Sequence, residues 1–279
     1  MKSYQRNIPI LIIFGIIFAY STIIYNNFHF YNVNISFNNI NLKSAKVSGK
    51  IFIFGNYEWD LFRTAGNCTG EGNYSNPYVI EDLIIDAGGS GNCIEIRGSD
   101  VFFRIENCTL YNSGSSDHGI DLYSVSNGQL INNDCFSTYG GILLSQSNNN
   151  TLFGNTVNNN DRSGIRLSYS DWNKVSGNTV NNNGVEGIRV GSSNYNTISN
   201  NIVKDQPYGL TLDISNYNNI TGNVFIGNDY CIDEYDCEGN IFENNECREN
   251  AAIPGYNLLF LFSTLFIVSI LIIMKMKKS

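Results

Sequence analysis

Arginine recurs at a fixed spacing in the middle of this chain. Arg166 lies in the stretch GIRLSYSDWNKVSGNTVNNN (164–183), and Arg189 takes the same place in GIRVGSSNYNTISNNIVKDQ (187–206), 23 positions later. If these stretches are stacked repeats, the two guanidinium groups lie one repeat apart and repel each other unless an anion or a carboxylate intervenes. Asp213, in the following repeat, is a candidate partner. The pattern predicts either a subsite for an anion such as a uronate or a solvated, salt-bridged surface, and we favour the latter.

Aromatic residues recur at the same interval. Trp172, Tyr195 and Tyr217 take equivalent places in three consecutive repeats and form an aromatic column. Flat rings of this kind can stack on sugars, but rings that stack on each other also stabilise the corner of a repeat protein. We favour the structural role. If the protein binds carbohydrate, these three residues, Arg166 and Arg189 are the first candidates.

The repeat itself predicts the fold. Repeats begin every 22–26 residues, and each has an aliphatic residue one position after its first residue. Alternation of the type Gly-Ile-x-Leu is typical of a strand with one buried face. The predicted first residues are Cys93, Gly119, Gly141, Gly164, Gly187, Gly209 and Cys231. Stacking such units produces a continuous apolar core along a solenoid.

Asparagine marks the corners of the repeat. One column, 14 residues after each start, consists of Asn107, Asn133, Asn155, Asn178, Asn201, Asn223 and Asn245. A second column contains Asn150, Asn173, Asn196, Asn218 and Asn240. Asparagine tolerates left-handed backbone, and its amide can bond to the backbone and to the asparagine of the next repeat. We interpret both columns as structural ladders and not as a metal site.

Three short strands and asparagine corners in each repeat resemble the right-handed parallel β-helix. The similarity is to the repeats of NosD-like periplasmic proteins and of the carbohydrate-binding and sugar-hydrolase class, and it covers about residues 80–250. It implies an all-β solenoid of about seven coils. The segment NYEWDLFRTAG (56–66) is predicted to be a short amphipathic helix that caps the first coil with Trp59 and Phe62.

Neither activity that the resemblance suggests finds clear support in the residues. The galacturonase motifs of the sugar-hydrolase class are absent, Asp121 is far from Asp213 and Asp233, and His118 falls in an insertion and is interpreted as a loop residue. Copper prefers methionine, cysteine and histidine, yet the region between the apolar ends contains no methionine and only His29 and His118. We expect no catalytic residues, no metal and no cofactor.

Both ends of the chain are apolar. Residues 8–24 carry no charge, and residues 258–274 are apolar and are followed by Lys275, Lys277 and Lys278. Basic residues prefer the cytoplasmic side of a membrane. We divide the chain into a signal peptide or membrane anchor (1–27), a cap (28–79), the β-helix (80–250), and a linker with a transmembrane helix and a basic cytoplasmic tail (251–279). The stretch Pro254-Gly255-Tyr256 before the last apolar segment resembles the C-terminal sorting signals of archaeal surface proteins.

Composition agrees with a location outside the cytoplasm. Six glycosylation sequons begin at Asn34, Asn67, Asn73, Asn107, Asn149 and Asn219, and the seven cysteines suit an oxidising compartment. Cys237 with Cys247, and Cys93 with Cys108, are candidate disulfides, although spacing alone does not decide the pairing. A net charge of −8 argues against nucleic acid as a partner.

The sequence thus favours a membrane-anchored surface protein with a structural, adhesive or glycan-binding role. Its expected partners are the membrane, envelope polysaccharide and other surface proteins. A polysaccharide lyase or glycoside hydrolase acting on uronate polymers is the alternative. A NosD-like accessory protein for metal insertion is the third and least favoured hypothesis.

Overall fold

The computed structural model describes residues 46–249, which form a parallel β-solenoid with three strands per coil and a single helix, α1 (Gly55–Thr64). Each strand pairs in parallel with its counterparts in the coils before and after, so three parallel sheets run along the axis. The predicted all-β parallel helix of about seven coils is confirmed.

The three sheets, which we call A, B and C, contain nine, eight and eight strands. Sheet A consists of β1 (Lys46–Ser48), β4 (Leu83–Asp86), β7 (Thr109–Tyr111), β10 (Asp134–Phe136), β13 (Thr156–Asn158), β16 (Thr179–Asn181), β19 (Ile202–Lys204), β22 (Val224–Ile226) and β25 (Glu246–Arg248). Sheet B consists of β2 (Ile51–Phe54), β5 (Ile94–Ser99), β8 (His118–Val125), β11 (Gly140–Ser145), β14 (Ile165–Ser168), β17 (Glu186–Gly191), β20 (Tyr208–Asp213) and β23 (Tyr230–Tyr235). Sheet C consists of β3 (Tyr78–Glu81), β6 (Phe103–Glu106), β9 (Gly128–Ile131), β12 (Thr151–Phe153), β15 (Lys174–Ser176), β18 (Thr197–Ser199), β21 (Asn219–Thr221) and β24 (Ile241–Glu243).

The core is built from the predicted aliphatic columns. On sheet B, Ile142 pairs with Ile165 and Ile165 with Ile188, and all three are buried. Sheet C adds a further aliphatic column, in which Ile105 of the first coil pairs with Leu130. One additional residue lies in the corner between β5 and β6, so β6 is shifted by one position relative to the sheet C strands of the later coils.

Glycine at the start of five of the seven coils permits close packing against sheet A. A Cβ on Gly164 would lie 2.5 Å from Val180 Cγ1 and 2.9 Å from the carbonyl oxygen of Gly187, so a side chain is excluded. In the last coil the equivalent two positions hold Cys231 and Cys247, which form a disulfide.

The predicted cysteine pairs are therefore wrong. Cys237 lies on the outer corner of the last coil, where its Sγ accepts a hydrogen bond from the Ser215 N–H (3.4 Å), and Cys231 is the true partner of Cys247. Cys93 and Cys108 remain separate, buried thiols.

The asparagine ladders form as predicted. Their side chains bond to the neighbouring ladder residue and to backbone carbonyl groups. Asn178 Oδ1 accepts hydrogen bonds from both the N–H and the Nδ2 of Asn155 (each 2.9 Å), and Asn178 Nδ2 donates to the Leu152 carbonyl (3.1 Å). Asn223 and Asn245 continue the column to the last coil. The column at Asn150, Asn173, Asn196, Asn218 and Asn240 is bonded in the same way.

Two details of the ladder prediction are wrong. Asn107 is not a member, because the additional corner residue of the first coil places Cys108 at the ladder position, where its N–H donates to Asn133 Oδ1 (3.0 Å). Left-handed backbone belongs to the residue before each ladder asparagine, for example Asn132 (φ 52°) and Asn200 (φ 54°), and not to the ladder residues themselves.

The sequence analysis missed a third ladder. Asn160 donates from Nδ2 to Asn183 Oδ1 (2.9 Å), and Asn183 donates in turn to Gln206 Oε1 (3.2 Å). Its members change between threonine, asparagine and glutamine, so no single residue type reveals the column. With this ladder, each of the three corners of a coil has an amide stack.

Helix α1 closes the N-terminal end of the solenoid, as predicted. Trp59 is fully buried and stacks on Tyr78 (centroids 5.2 Å apart) and against Phe103 (5.0 Å). Its indole N–H donates to Ser99 Oγ (3.1 Å), and Phe62 packs against the same core. The apolar packing and the satisfied indole make this helix a cap for the exposed sheet edges.

The predicted terminal helices lie outside the described residues. Within residues 46–249, α1 is the only helix, and it is too short to cross a membrane. The predicted signal or anchor and the C-terminal segment remain predictions.

Replacing Asn178 by alanine is expected to destabilise the solenoid by about 2–4 kcal/mol, because it leaves several buried backbone and side-chain groups without partners. Chemical denaturation with circular dichroism measures this change. Asn67→Ala is the matched control, since Asn67 is exposed and has no side-chain hydrogen bond within residues 46–249. Equal stability of the two variants would show that the ladder is not a stabilising element.

Candidate functional site

A positively charged pocket lies where the strands of sheet B begin. It has a volume of about 140 Å³. Arg166 on β14 and Arg189 on β17 are directly paired across the sheet, as the repeat predicts. The pocket, which we call the arginine pocket, is lined by His118, Tyr139, Gly140, Arg162, Ser163, Arg166, Glu186 and Arg189.

Arg189 is held by two carboxylates. Its Nη1 donates to Glu186 Oε1 (2.9 Å) and its Nη2 donates to Asp213 Oδ2 (3.1 Å). The predicted partnership with Asp213 is confirmed. Glu186 is almost fully buried, and its second oxygen accepts a hydrogen bond from the Ser163 hydroxyl (2.7 Å). The Arg189 charge is thus compensated within the protein.

Arg166 and Arg162 are not compensated in this way. Arg166 is exposed and has no carboxylate partner within residues 46–249. Arg162 donates from Nε to the Tyr139 hydroxyl (3.2 Å), and its guanidinium lies 5.8 Å from the centre of that ring. Two cations therefore face the pocket and the solvent beside it without an ion-pair partner within residues 46–249, because Glu186 is bound by Arg189, and this arrangement attracts an anion.

His118 belongs to this pocket, and the interpretation of it as a loop residue is wrong. It is the first residue of β8, and its ring packs edge-on against Tyr139 (centroids 6.1 Å apart). Burial, and secondarily the charge of Arg166, lowers the pKa of His118 to about 4. At neutral pH the ring is uncharged, so it offers the pocket a hydrogen bond and not a further positive charge.

Tyr139, Arg162 and Glu186 were missed by the sequence analysis. They lie just before the glycine that starts each coil, in or next to the turn between sheets A and B. The residue type at these positions changes from coil to coil, so no column marks them. To predict that Arg162 contacts Tyr139 of the preceding coil, the turns of successive coils must be aligned in addition to their strands.

The aromatic column lies at the other end of the sheet B strands, away from the arginine pocket. The rings of Trp172 and Tyr195 stack 4.5 Å apart, and those of Tyr195 and Tyr217 stack 5.4 Å apart. Tyr217 also donates its hydroxyl to Glu238 Oε1 (3.0 Å). Because the rings cover each other's faces, this geometry favours the corner-stabilising role, and sugar binding by these residues stays a prediction.

Two carboxylates stack further along sheet B. Glu95 on β5 pairs directly with Asp121 on β8, and Asn92 Nδ2 donates to both, at 2.9 Å and 3.3 Å. Arg97 forms an ion pair with Glu95. Burial, and secondarily the negative charge of Glu95, raises the pKa of Asp121 to about 6. The sequence analysis compared Asp121 only with distant aspartates and missed its neighbour.

Comparison with known proteins connects this architecture to one family. Residues 86–264 match the model of the family described as periplasmic copper-binding protein (NosD), which is more than half of the chain. The chain belongs to the NosD family. No protein with a curated description is similar to it.

A solved structure supports the fold of this NosD-family chain. The periplasmic alginate epimerase AlgG is 17% identical, with a TM-score of 0.51, and the alignment covers 61% of this chain and 50% of AlgG. The A-module of the mannuronan C-5 epimerase AlgE4 of Azotobacter vinelandii is 18% identical, with a TM-score of 0.47, and 63% of this chain and 62% of that chain are covered. At these identities the likeness concerns the fold alone, and this chain spans half the length of AlgG.

The donors of the described residues do not suit the copper of the family description. Within residues 46–249, no three histidine, cysteine, aspartate or glutamate side chains converge as a metal site would require. His118 is the only histidine there, and the three methionines, Met1, Met274 and Met276, lie elsewhere. Burial raises the pKa of Cys93 and Cys108 to about 11, which disfavours the thiolate that binds metal.

Asp121→Asn is expected to stabilise the protein at pH 7 by about 1–2 kcal/mol. The folded-state pKa of about 6 exceeds the ordinary value of 3.8, so the folded state binds more protons between these values. The wild-type free energy of unfolding therefore falls as pH rises from about 4 to 6, and the variant lacks that fall. Thermal unfolding at several pH values measures the difference.

Asp233→Asn is the control, because Asp233 occupies the equivalent position on the last coil and is exposed. It should change stability little at any pH. Comparing variants removes the opposite contribution of His118, whose lowered pKa costs stability as pH falls through the same range. Parallel wild-type and Asp121→Asn profiles would refute the assignment.

Proposed function

We propose that this NosD-family chain is an extracytoplasmic surface protein that binds acidic polysaccharide through its arginine pocket without cleaving it. The observation that carries the proposal is the pair of uncompensated cations, Arg162 and Arg166, beside a shaped pocket. They stand out because the protein as a whole carries a net charge of −8.

Geometry and chemistry favour a carboxylate-bearing sugar as the ligand. Arg166 and Arg162 supply charged N–H donors, and guanidinium groups bind carboxylates through paired hydrogen bonds. The pocket of about 140 Å³ accommodates the acidic group and part of one sugar ring. The remainder of a polymer would extend over the open face of sheet B.

The location is supported by three features. NosD is described as periplasmic, and the apolar segment 8–24 agrees with a signal peptide or an anchor. The apolar segment 258–274 is just long enough to span a membrane, and the basic residues after it favour a cytoplasmic tail. The sorting-signal resemblance at Pro254-Gly255-Tyr256 agrees with attachment at the cell surface. Asn67, Asn73, Asn107, Asn149 and Asn219 are all exposed, as glycosylation would require, and Asn34 lies outside the described residues.

Arg166→Ala is expected to weaken binding of oligogalacturonate or oligomannuronate by about tenfold or more, since it removes an uncompensated charged donor. The full-length protein in detergent, studied by isothermal titration calorimetry, provides the measurement. The wild-type affinity should fall as salt is added, because the interaction is ionic.

Lys174→Ala is the matched control. It removes the same charge from sheet C, where Lys174 is exposed and has no ion pair within the described chain. Neutral oligosaccharides of the same length serve as control ligands for this pocket. Equal loss of uronate affinity in Arg166→Ala and Lys174→Ala, or no uronate binding by the wild type, would overturn the proposal.

Hydrolysis of a glycan is a second candidate function, favoured by the stacked Glu95 and Asp121. A carboxyl group that keeps its proton up to about pH 6, as Asp121 does, can act as a general acid beside a second carboxyl group. Adjacent strands lie ~4.8 Å apart, close to the ~5–5.5 Å carboxyl separation of retaining glycosidases.

Product analysis separates the two functions. Cleavage predicts new reducing ends from an acidic polysaccharide, with a rate that Asp121→Asn lowers by at least ~100-fold. Binding alone predicts an unchanged polymer length in the presence of wild-type protein.

A further inference from the structure

A polar groove runs along the corner between sheets B and C in the first coils. It encloses about 460 Å³, a size typical of small-molecule sites. Ser99 and Val125, each 2% exposed, form its floor. The groove lies at the ends of β5, β8 and β11, whereas the arginine pocket lies at the beginnings of the sheet B strands.

The groove has defined ends. Asn56 of α1 closes one end, where its Nδ2 donates to Asp100 Oδ1 (2.6 Å) and its Oδ1 accepts from the Asp100 N–H (3.1 Å). Gly98 and Ser124 leave the middle open because their side chains are small or absent. In the next coil, Tyr169 takes the position that Gln146 occupies in the groove wall. The groove is therefore about three coils long.

Its walls offer unused hydrogen-bonding groups of both kinds. The Ser124 hydroxyl and the Gln146 amide have no partner within residues 46–249, and Asn148 uses only its Oδ1, which accepts from the Asp171 N–H (2.7 Å). No lysine or arginine is among the lining residues. Asp100 is the one charged residue among them, and its carboxylate accepts a hydrogen bond from Asn56. Neutral donors and acceptors beside a carboxylate match hydroxyl groups better than they match an anion.

Tyr169 adds an uncovered aromatic face. It is 65% exposed and has no ring partner in the described chain, unlike Trp172, Tyr195 and Tyr217, which cover one another. Its φ of 52° is a property of the corner, because Ser124, Gln146 and Ser192 at the equivalent positions of other coils are also left-handed. A free aromatic face beside hydroxyl-bonding groups is a combination that suits a sugar ring.

We infer that this groove binds a neutral, hydroxyl-rich saccharide. Ser124, Gln146 and Asn148 bond to its hydroxyl groups, and Tyr169 stacks on a sugar ring at the end of the groove. The site is separate from the arginine pocket and takes a ligand of different charge. It does not depend on the proposed binding of acidic polysaccharide.

The test uses the full-length protein in detergent and a panel of neutral trisaccharides, namely maltotriose, cellotriose, mannotriose and chitotriose, with binding detected by saturation-transfer NMR. Two variants address the groove. Tyr169→Asn removes the ring, and Gly98→Asn (φ 63°, with nothing within 4 Å of an added Cβ) fills the groove. Asparagine tolerates the left-handed backbone at both positions.

We expect at least one trisaccharide to bind and each groove variant to weaken it by about tenfold or more. Ile214→Asn, in the same column but two coils beyond Tyr169, and Arg166→Ala should both bind like the wild type. Circular dichroism melting shows whether each variant is folded. If one groove variant does not fold, the other groove variant decides the test. The inference is overturned if no trisaccharide binds, if folded groove variants bind like the wild type, or if Arg166→Ala abolishes binding.

Discussion

The hydrogen bond from one coil's backbone to the next coil's corner amide is the interaction on which the rest of this structure depends. A ladder asparagine such as Asn178 accepts from the N–H of Asn155 in the preceding coil and donates to the carbonyl of Leu152, which lies on a strand of that coil. A corner that turns tightly would otherwise bury unpaired backbone groups, each of which costs free energy. Because the amide satisfies them in every coil, the coils have nearly constant length and the strands stay in register.

Constant register converts sequence spacing into spatial contact. Residues 22 or 23 apart become neighbours, so the protein can build ladders of any chemistry on its surface. Arg166 with Arg189, Trp172 with Tyr195, and Asn133 with Asn155 arise in this way. The surface differs along the axis. Carboxylates stack on the early coils of sheet B, and arginines follow on the next coils. The polar groove lies at the opposite ends of the early sheet B strands.

The sequence predicts the interior of this fold far better than its surface. Interior positions repeat the same residue type because each coil has the same space to fill, so aliphatic, glycine and asparagine columns are visible directly. A single additional residue in the corner at 99–103 was enough to misplace Asn107. The disulfide was also predictable in principle, since Cys231 replaces the starting glycine and Cys247 the residue it packs against, but only after the sheet A column is aligned.

The arginine pocket was predicted only in part for a physical reason. Arg166, Arg189 and Asp213 lie on strands, where register determines their neighbours. Arg162 and Tyr139 lie in the turn between sheets A and B, whose path varies from coil to coil, and His118 begins β8 directly after such a turn. The family match does not replace this argument, because His118 is the only residue lining the pocket of a type that copper prefers.

The most direct test of the central claim is nitrogen NMR of the arginine side chains during titration with oligogalacturonate. If the arginine pocket binds the acidic sugar, the Nε signals of Arg162 and Arg166 shift and saturate together, while that of Arg104, bonded to Gln129 and Glu106 on sheet C, stays unchanged. Signals of Arg162 and Arg166 that do not move, or that move no more than Arg104, would contradict the account.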